Sequence, residues 1–172
     1  MMSELDFWSF VREARDRLTD AGYADPGATE LLLTLNRASG IVTYDLESSI
    51  HRPAGRSWSA FRILYVLWLA GAMEPKRVAQ LTGLTRAAVS NLTGGLVDDG
   101  LVCREPAPHD GRSVRLGLTP RGVEEIRTLF AAQHEREQAW AAALSPAEQH
   151  VLVTLLDKLV GARDDVAPRL RH

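Results

Sequence analysis

Four residues in one short stretch carry the most suggestive chemistry of this chain: Arg86, Ala87, Ser90 and Asn91. Arginine can donate two parallel hydrogen bonds to guanine O6 and N7, asparagine can pair with adenine N6 and N7, and small neighbours allow close approach. In a helix with Val89 and Leu92 turned inward, these four face outward, and Thr93 joins them. Thr85 stands just before that helix as its cap, and the helix start offers free N–H groups to a phosphate. Asp110, Gly111 and Arg112 form a second group, with Arg115 close behind. An aspartate two residues before an arginine can hold the guanidinium extended, the shape that enters a narrow A·T-rich minor groove. Either group alone reads as ordinary surface; an exposed Asp–Arg pair contributes only about 0–1 kcal/mol. Together they point to double-stranded DNA as a partner.

A reading helix must be held by a second one. In PKRVAQLTGLTRAAVSNLTGGL (75–96), Ala79 is small enough for close helix contact. Gly83 sits where the chain turns sharply, and Val89 points back into the angle, with Leu84 and Leu92 completing a small core. That is the spacing of a helix-turn-helix. Upstream, Ser57 can cap a helix bearing Phe61, Leu64, Leu67 and Trp68. Downstream the period changes to two: Leu101–Glu105 reads as a strand, PAPHDGR as a loop, and Ser113–Leu118 as a second strand with Val114, Leu116 and Leu118 inward. A lone hairpin must pack on helices, so helices, a helix pair and a hairpin together make a winged helix. Gly94-Gly95 inside the reading helix costs about 1 kcal/mol per glycine relative to alanine, and marks a weak point or a place of close packing.

The flanks are helical. Leu5, Trp8, Val11, Arg15 and Leu18 define a first amphipathic stretch. Asp25 as cap and Pro26 at the first position open a helix whose Leu31, Leu35, Ala38, Val42, Leu46 and Ile50 keep one face up to Pro53. Thr119-Pro120 starts a long helix with Val123, Ile126, Phe130, Trp140 and Leu144. Ser145-Pro146-Ala147-Glu148 is a capping box for a last helix striped by Leu152, Leu155, Leu156 and Leu159. These stripes exceed what one small winged core can cover, so burial against a second copy is expected.

The chain has 172 residues, 45% hydrophobic and 24% charged, with a net charge of −2. That total argues against nucleic acid until it is divided. Residues 75–122 hold seven basic and four acidic residues, a balance of +3, whereas 1–74 and 123–172 carry −3 and −2. The positive charge lies on the segment that would face phosphates. No apolar run is long enough to span a bilayer, Ile63–Gly71 being the longest. The acidic N-terminus does not resemble a signal peptide. The single cysteine, Cys103, suits a reducing compartment. A cytoplasmic protein without membrane attachment is expected.

Residues 57–122 resemble the MarR (multiple-antibiotic-resistance regulator) family of bacterial winged-helix regulators. The resemblance rests on SWSAFRILYVLWLAG, AQLTGLTRAAVSNL, the DGLV that leads into the hairpin, and D-G-R followed by LGLTPRG. It implies a mainly α fold with a small β-hairpin wing, dimerised through N- and C-terminal helices. The domains would be 1–56 for dimerisation, 57–122 for DNA binding, and 123–172 for dimerisation helices and tail. It also implies repression of transcription, relieved by a small aromatic or anionic ligand. Arg86, Ala87, Ser90 and Asn91 would lie in the major groove, and Arg112, positioned by Asp110, in the minor groove. A basic residue is common in the family where this chain has Asn91, so the resemblance leaves base preference at that position open. Two recognition helices about 34 Å apart would read a pseudo-palindromic site.

For the effector, Tyr44, His51, Arg52, Trp58, Arg62 and Trp68 lie on or near the helices that would wall a pocket, with Trp8 in reach. Aromatic walls and a few polar groups suit a planar anion. Each of these residues has an ordinary alternative as core or surface. A redox-responsive regulator using Cys103 is a further reading, although Cys103 on a strand suits a small buried hydrophobe better. His51, His109, His134, His150 and His172 are scattered, so no metal is expected, and no other cofactor. There is no nucleophile elbow or phosphate-binding glycine loop, and Asp98-Asp99 point about 100° apart on a helix, so an enzyme is not expected. A nonspecific architectural DNA protein and a winged-helix protein-interaction module complete the alternatives.

Overall fold

The computed structural model describes residues 6–107 and 110–163, with residues 107 and 110–113 in backbone only. The first helix, α1 (Phe7–Asp20), is capped by Asp6, whose carboxylate accepts the Ser9 N–H at 2.8 Å. It lies on α2 (Pro26–Leu46), joined by Arg15–Glu30 at 3.2 Å and by the Arg37 guanidinium 5.5 Å from the Phe7 ring centre. Pro26 opens α2 as the sequence suggested, but Asp25 does not cap it. Its φ of 50° is left-handed and its side chain accepts no capping bond. The short reversal between the helices demands that conformation, which aspartate tolerates better than most side chains.

The helix expected to continue to Pro53 changes its winding after Leu46. Glu47–His51 forms a π segment. The wider turn brings residues five apart onto one side, so Leu46 and His51 are both buried. A regular α pattern would have separated them.

The centre of the chain builds the winged unit. Ser57 caps α3 (Trp58–Ala70) by accepting the Ala60 N–H at 3.1 Å. Next come α4 (Pro75–Thr82) and α5 (Arg86–Asp98), then strands β1 (Val102–Ala107) and β2 (Asp110–Leu118). The strands pair antiparallel from Val102 opposite Leu118 to Ala107 opposite Asp110, with a register irregularity between Pro106 and Ala107. Pairing therefore runs further out than the expected 101–105 and 113–118, and takes in residues read from sequence as loop. Leu116 is fully buried, Leu118 half-buried, and Val114 remains 43% exposed because it lies beyond the helices that cover the hairpin base. Met73 exchanges two backbone hydrogen bonds with Leu116, at 3.0 and 2.8 Å, fastening the wing to the α3–α4 loop.

One continuous core contains Phe61, Ile63 and Leu64 of α3, Val78 of α4, Val89 of α5, Leu101, Val102 and Leu116. Ile126 and Leu129 of α6 (Pro120–Ala141) complete it. Thr119 caps α6 through the Gly122 N–H at 3.0 Å, and a Cβ on Gly122 would stand 2.1 Å from the Leu101 carbonyl oxygen. Only glycine allows α6 to start this close to the strand. The last helix, α7 (Pro146–Gly161), opens on the expected capping box at Ser145 and Glu148. None of its residues is buried: Val151, Leu152, Val153, Leu155, Leu159 and Val160 are 42–71% exposed, and of its large apolar residues only Leu156 is partly covered.

Candidate nucleic-acid interface

The reading helix is built as its sequence suggests. Gly83 ends α4 in the left-handed region, φ 66°, which turns the chain sharply at no side-chain cost. Thr85 caps α5 by accepting the Ala88 N–H at 3.1 Å. Val89 is fully buried, Leu84 and Leu92 pack on the core, and Ala79 is buried where α4 meets α5. Arg86, Ala87, Ser90 and Asn91 are all exposed, as is Thr85. Thr93 is not part of this face. It is 2% exposed, and its hydroxyl donates to the Val89 carbonyl at 2.6 Å. Four residues after Val89, it lies above it on the inner side, and that backbone bond satisfies the hydroxyl there.

On the hairpin, Asp110 and Arg112 occupy the start of β2, so the D-x-R pair belongs to the strand and not to a loop. Their side chains, and His109 and His172, lie outside the described residues. Arg115 turns back: its guanidinium is partly buried and donates to the Ala72 carbonyl in the α3–α4 loop. Arg104 on β1 and Lys76 and Arg77 at the start of α4 are exposed cations. Pro75, Ser90, Thr93, Arg104, Val114 and Leu116 line a cleft of about 230 Å³ between the reading helix and the wing. The pair Gly94-Gly95 is not a point of close packing, because a Cβ on either would meet nothing within 4 Å.

Among the effector candidates the structure joins some and separates others. The His51 ring lies 4.4 Å from Phe61 and 5.5 Å from Trp58, centre to centre. Tyr65, Trp68 and Phe130 continue the aromatic series from Phe61. His51 is fully buried and neither ring nitrogen has a hydrogen-bond partner. Burial pushes its pKa down, against the opposing pull of Gln133 and Glu47. Tyr44 instead borders an open hollow of about 500 Å³ on α2, shared with Arg37, Asp45 and Trp140. Asp45 there accepts two 2.7 Å bonds from Arg136 and one of 2.8 Å from the Trp140 indole, which hold its carboxyl well below the usual range. Arg52 is exposed and faces Glu47 at 3.6 Å, and Trp8 is 55% exposed on α1. Arg62 reaches toward the turn at Gly83.

Cys103 is half-buried, its sulfur 3.5 Å from both a Glu105 carboxylate oxygen and the Gly117 carbonyl. Burial and that carboxylate raise its pKa, which disfavours the thiolate that redox sensing needs. Among the described residues there is no metal-binding cluster, and no helix long and apolar enough to cross a membrane.

The MarR family description matches residues 54–113, the stretch from before α3 into the hairpin. An uncharacterized HTH-type transcriptional regulator of Bacillus subtilis, YwaE, is 30% identical over 77% of this chain and 77% of its own length. The chain belongs to the MarR family. It is a DNA-binding transcriptional regulator with the winged-helix fold of that family. The transcriptional repressor YetL of the same organism is 29% identical over 78% of this chain and 81% of its own. The solved structure of Bordetella bronchiseptica BpsR, whose DNA binding is regulated by 6-hydroxynicotinic acid, superposes with a TM-score of 0.68 at 25% identity, covering 74% of this chain and 90% of that one.

One residue that joins this MarR-family interface to the rest was not singled out in the sequence. Arg56, with a side chain only 15% exposed, pairs with Asp99 at the end of the reading helix and with Glu125 of α6 at 2.5 Å. Both carboxylates raise its pKa further, Glu125 more than Asp99. No local signal marks it: an arginine in a loop becomes a junction only when three distant segments meet.

Proposed function

We propose that this regulator is a homodimeric repressor that binds a pseudo-palindromic operator and is released by a small aromatic anion. The observation that carries the DNA reading is the exposed quartet Arg86, Ala87, Ser90 and Asn91 on a capped helix whose opposite face is buried. Placement of these side chains in a major groove, with Thr85 at the helix start, follows the residue chemistry. Arg112, oriented by Asp110, would enter the flanking minor groove, and Arg115 would brace the wing from behind. Residues 57–122 would act as the DNA-binding domain, and 1–56 with 123–172 as the dimerising ends. The bare apolar surface of α7 supports this division, since monomers rarely leave such a surface uncovered. Two copies packed through it would set the helices about one turn of DNA apart. Relatives named as a repressor and as a protein regulated by an aromatic acid support repression and the ligand class. The aromatic series with His51 buried and Trp58 and Trp68 half-buried would supply planar walls; Tyr44 and Arg62 stand further off as secondary candidates. Action in the cytoplasm follows from this role, without a catalytic step.

The test is a titration of the protein against DNA from upstream of its own gene, beside a random duplex, followed by competition with 6-hydroxynicotinic acid and related aromatic acids. Specific binding that an aromatic acid releases is the expected result, and Arg112→Ala should weaken it at least tenfold while the fold is kept. Equal affinity for both duplexes would replace this reading with a nonspecific architectural protein, because phosphate contacts carry no sequence information.

A further inference from the structure

Among the described residues, three half-buried arginines lie in or beside the winged unit, and two of them are tied. Arg56 is held by Asp99 and Glu125, and Arg115 by the Ala72 carbonyl. Arg62 is the third. It sits on α3 with its residue partly buried, and among the described residues it has no ion pair and no side-chain hydrogen bond. A guanidinium carries five donors, and none of those on Arg62 is sealed from solvent, so they stand open to an acceptor. The acceptor is expected to come from outside the chain.

Its position says from where. One terminal nitrogen, Nη2, would stand 3.4 Å from a Cβ built on Gly83. Gly83 is exposed and left-handed, and it forms the turn that ends two residues before the Thr85 cap of the reading helix. The guanidinium thus flanks the turn at the edge of the exposed quartet. Arg86 on α5 and Lys76 and Arg77 on α4 are exposed cations of the same helix pair. An anion that arrives with the quartet seated on base edges meets this turn, and on a duplex that anion is a backbone phosphate.

We infer that Arg62 is a phosphate-contacting residue of the DNA interface, reaching past Gly83 from a helix that itself touches no base. It fixes the angle at which the reading helix enters, and it contributes affinity equally on every sequence. A planar fork suits a phosphate bidentately, and lysine would serve there as a point charge. The inference rests on the DNA-binding reading above.

Binding of wild type, Arg62→Gln and Arg62→Lys to the upstream fragment and to a random duplex, each across 50–300 mM salt, tests it. For Arg62→Gln the slope of log K against log salt should shrink by about 1 for each Arg62 in the complex, with about tenfold weaker binding per contact near 0.1 M salt on both duplexes alike. Arg62→Lys should retain most of the slope. A merely structural role would lower the melting temperature and leave the slope unchanged, and that result overturns the inference. If Arg62→Gln fails to fold, modification of wild-type protein by an arginine-specific dicarbonyl, mapped with and without random duplex, decides instead. Protection of Arg62 by DNA supports the contact, and equal modification overturns it. A wild type that binds neither duplex at 50 mM salt would overturn the DNA-binding reading itself, an outcome distinct from a bound complex indifferent to Arg62.

Discussion

The winged unit and the helical ends use apolar residues in opposite ways. Between α3 and the start of α6 almost every large apolar side chain on an inward face is consumed: Phe61, Ile63, Leu64, Val78, Val89, Leu101 and Leu116 are at most 2% exposed. In α7 none is buried, and on α1 and α2 Trp8, Phe10, Leu31 and Leu32 are half exposed or more. Both regions show clear helical periodicity in sequence. Periodicity reports that a face is apolar; it does not report whether this chain or another covers it. The winged unit is the closed half of the chain, and the ends are the open half, with apolar faces left bare.

The largest effect should come from the open half. Leu152→Glu with Leu155→Glu places charge on a surface where each leucine would contribute about 1.5–3 kcal/mol of burial. Sedimentation should then show a monomer whose far-ultraviolet circular dichroism is nearly unchanged; a dimer that persists would remove α7 from the seam. The next effect concerns the tie between the halves. Arg56→Ala leaves Glu125 and Asp99 without their cation and should cost about 2 kcal/mol, less than a fully buried pair because Asp99 is half exposed. The denaturant midpoint measures it.

A smaller effect comes from where the π segment packs on α3 and α6. His51 is buried uncharged with a lowered pKa, so below about pH 6.5 the unfolded chain takes up a proton that the folded one resists. Stability should therefore fall as pH drops from 7 toward 5. His51→Phe should flatten that part of the curve and raise the melting temperature, since two unpaired buried nitrogens disappear. The smallest effect belongs to the closed half. Gly94→Ala and Gly95→Ala should each stabilise by about 0.5–1 kcal/mol, because the added methyl meets nothing within 4 Å and helical backbone accepts alanine. A loss of stability at either would mean the reading helix needs its glycines for a bend.

Much of this was legible in the residues. The helix-turn-helix spacing, the caps at Ser57, Thr85, Thr119 and Ser145, the outward quartet and the wing's place in chain order all appear in the structure where the sequence puts them. The failures have local causes. Thr93 reads as outward once Val89 and Leu92 are turned inward, yet a backbone carbonyl one turn back satisfies its hydroxyl in the core. The π segment leaves no mark in a pattern of 3.6 residues per turn, because Leu46 and His51 share a side only when the turn widens. Asp25 fits the composition of a cap but not its backbone angle. Arg56 acts through segments far apart in the chain, so no short window contains its partners.

Gly122 has a mechanical consequence. Helix α6 spans 22 residues, about 33 Å from end to end, and its first turn is clamped against Leu101 with no room even for a methyl group. Such a rod behaves as a lever with its fulcrum at the foot of the wing. A sideways shift of about 3 Å at its far end, near Trp140, equals a tilt of about 5° at the clamp. A displacement at the far end of this helix would therefore be geared down into a small rotation at the hairpin.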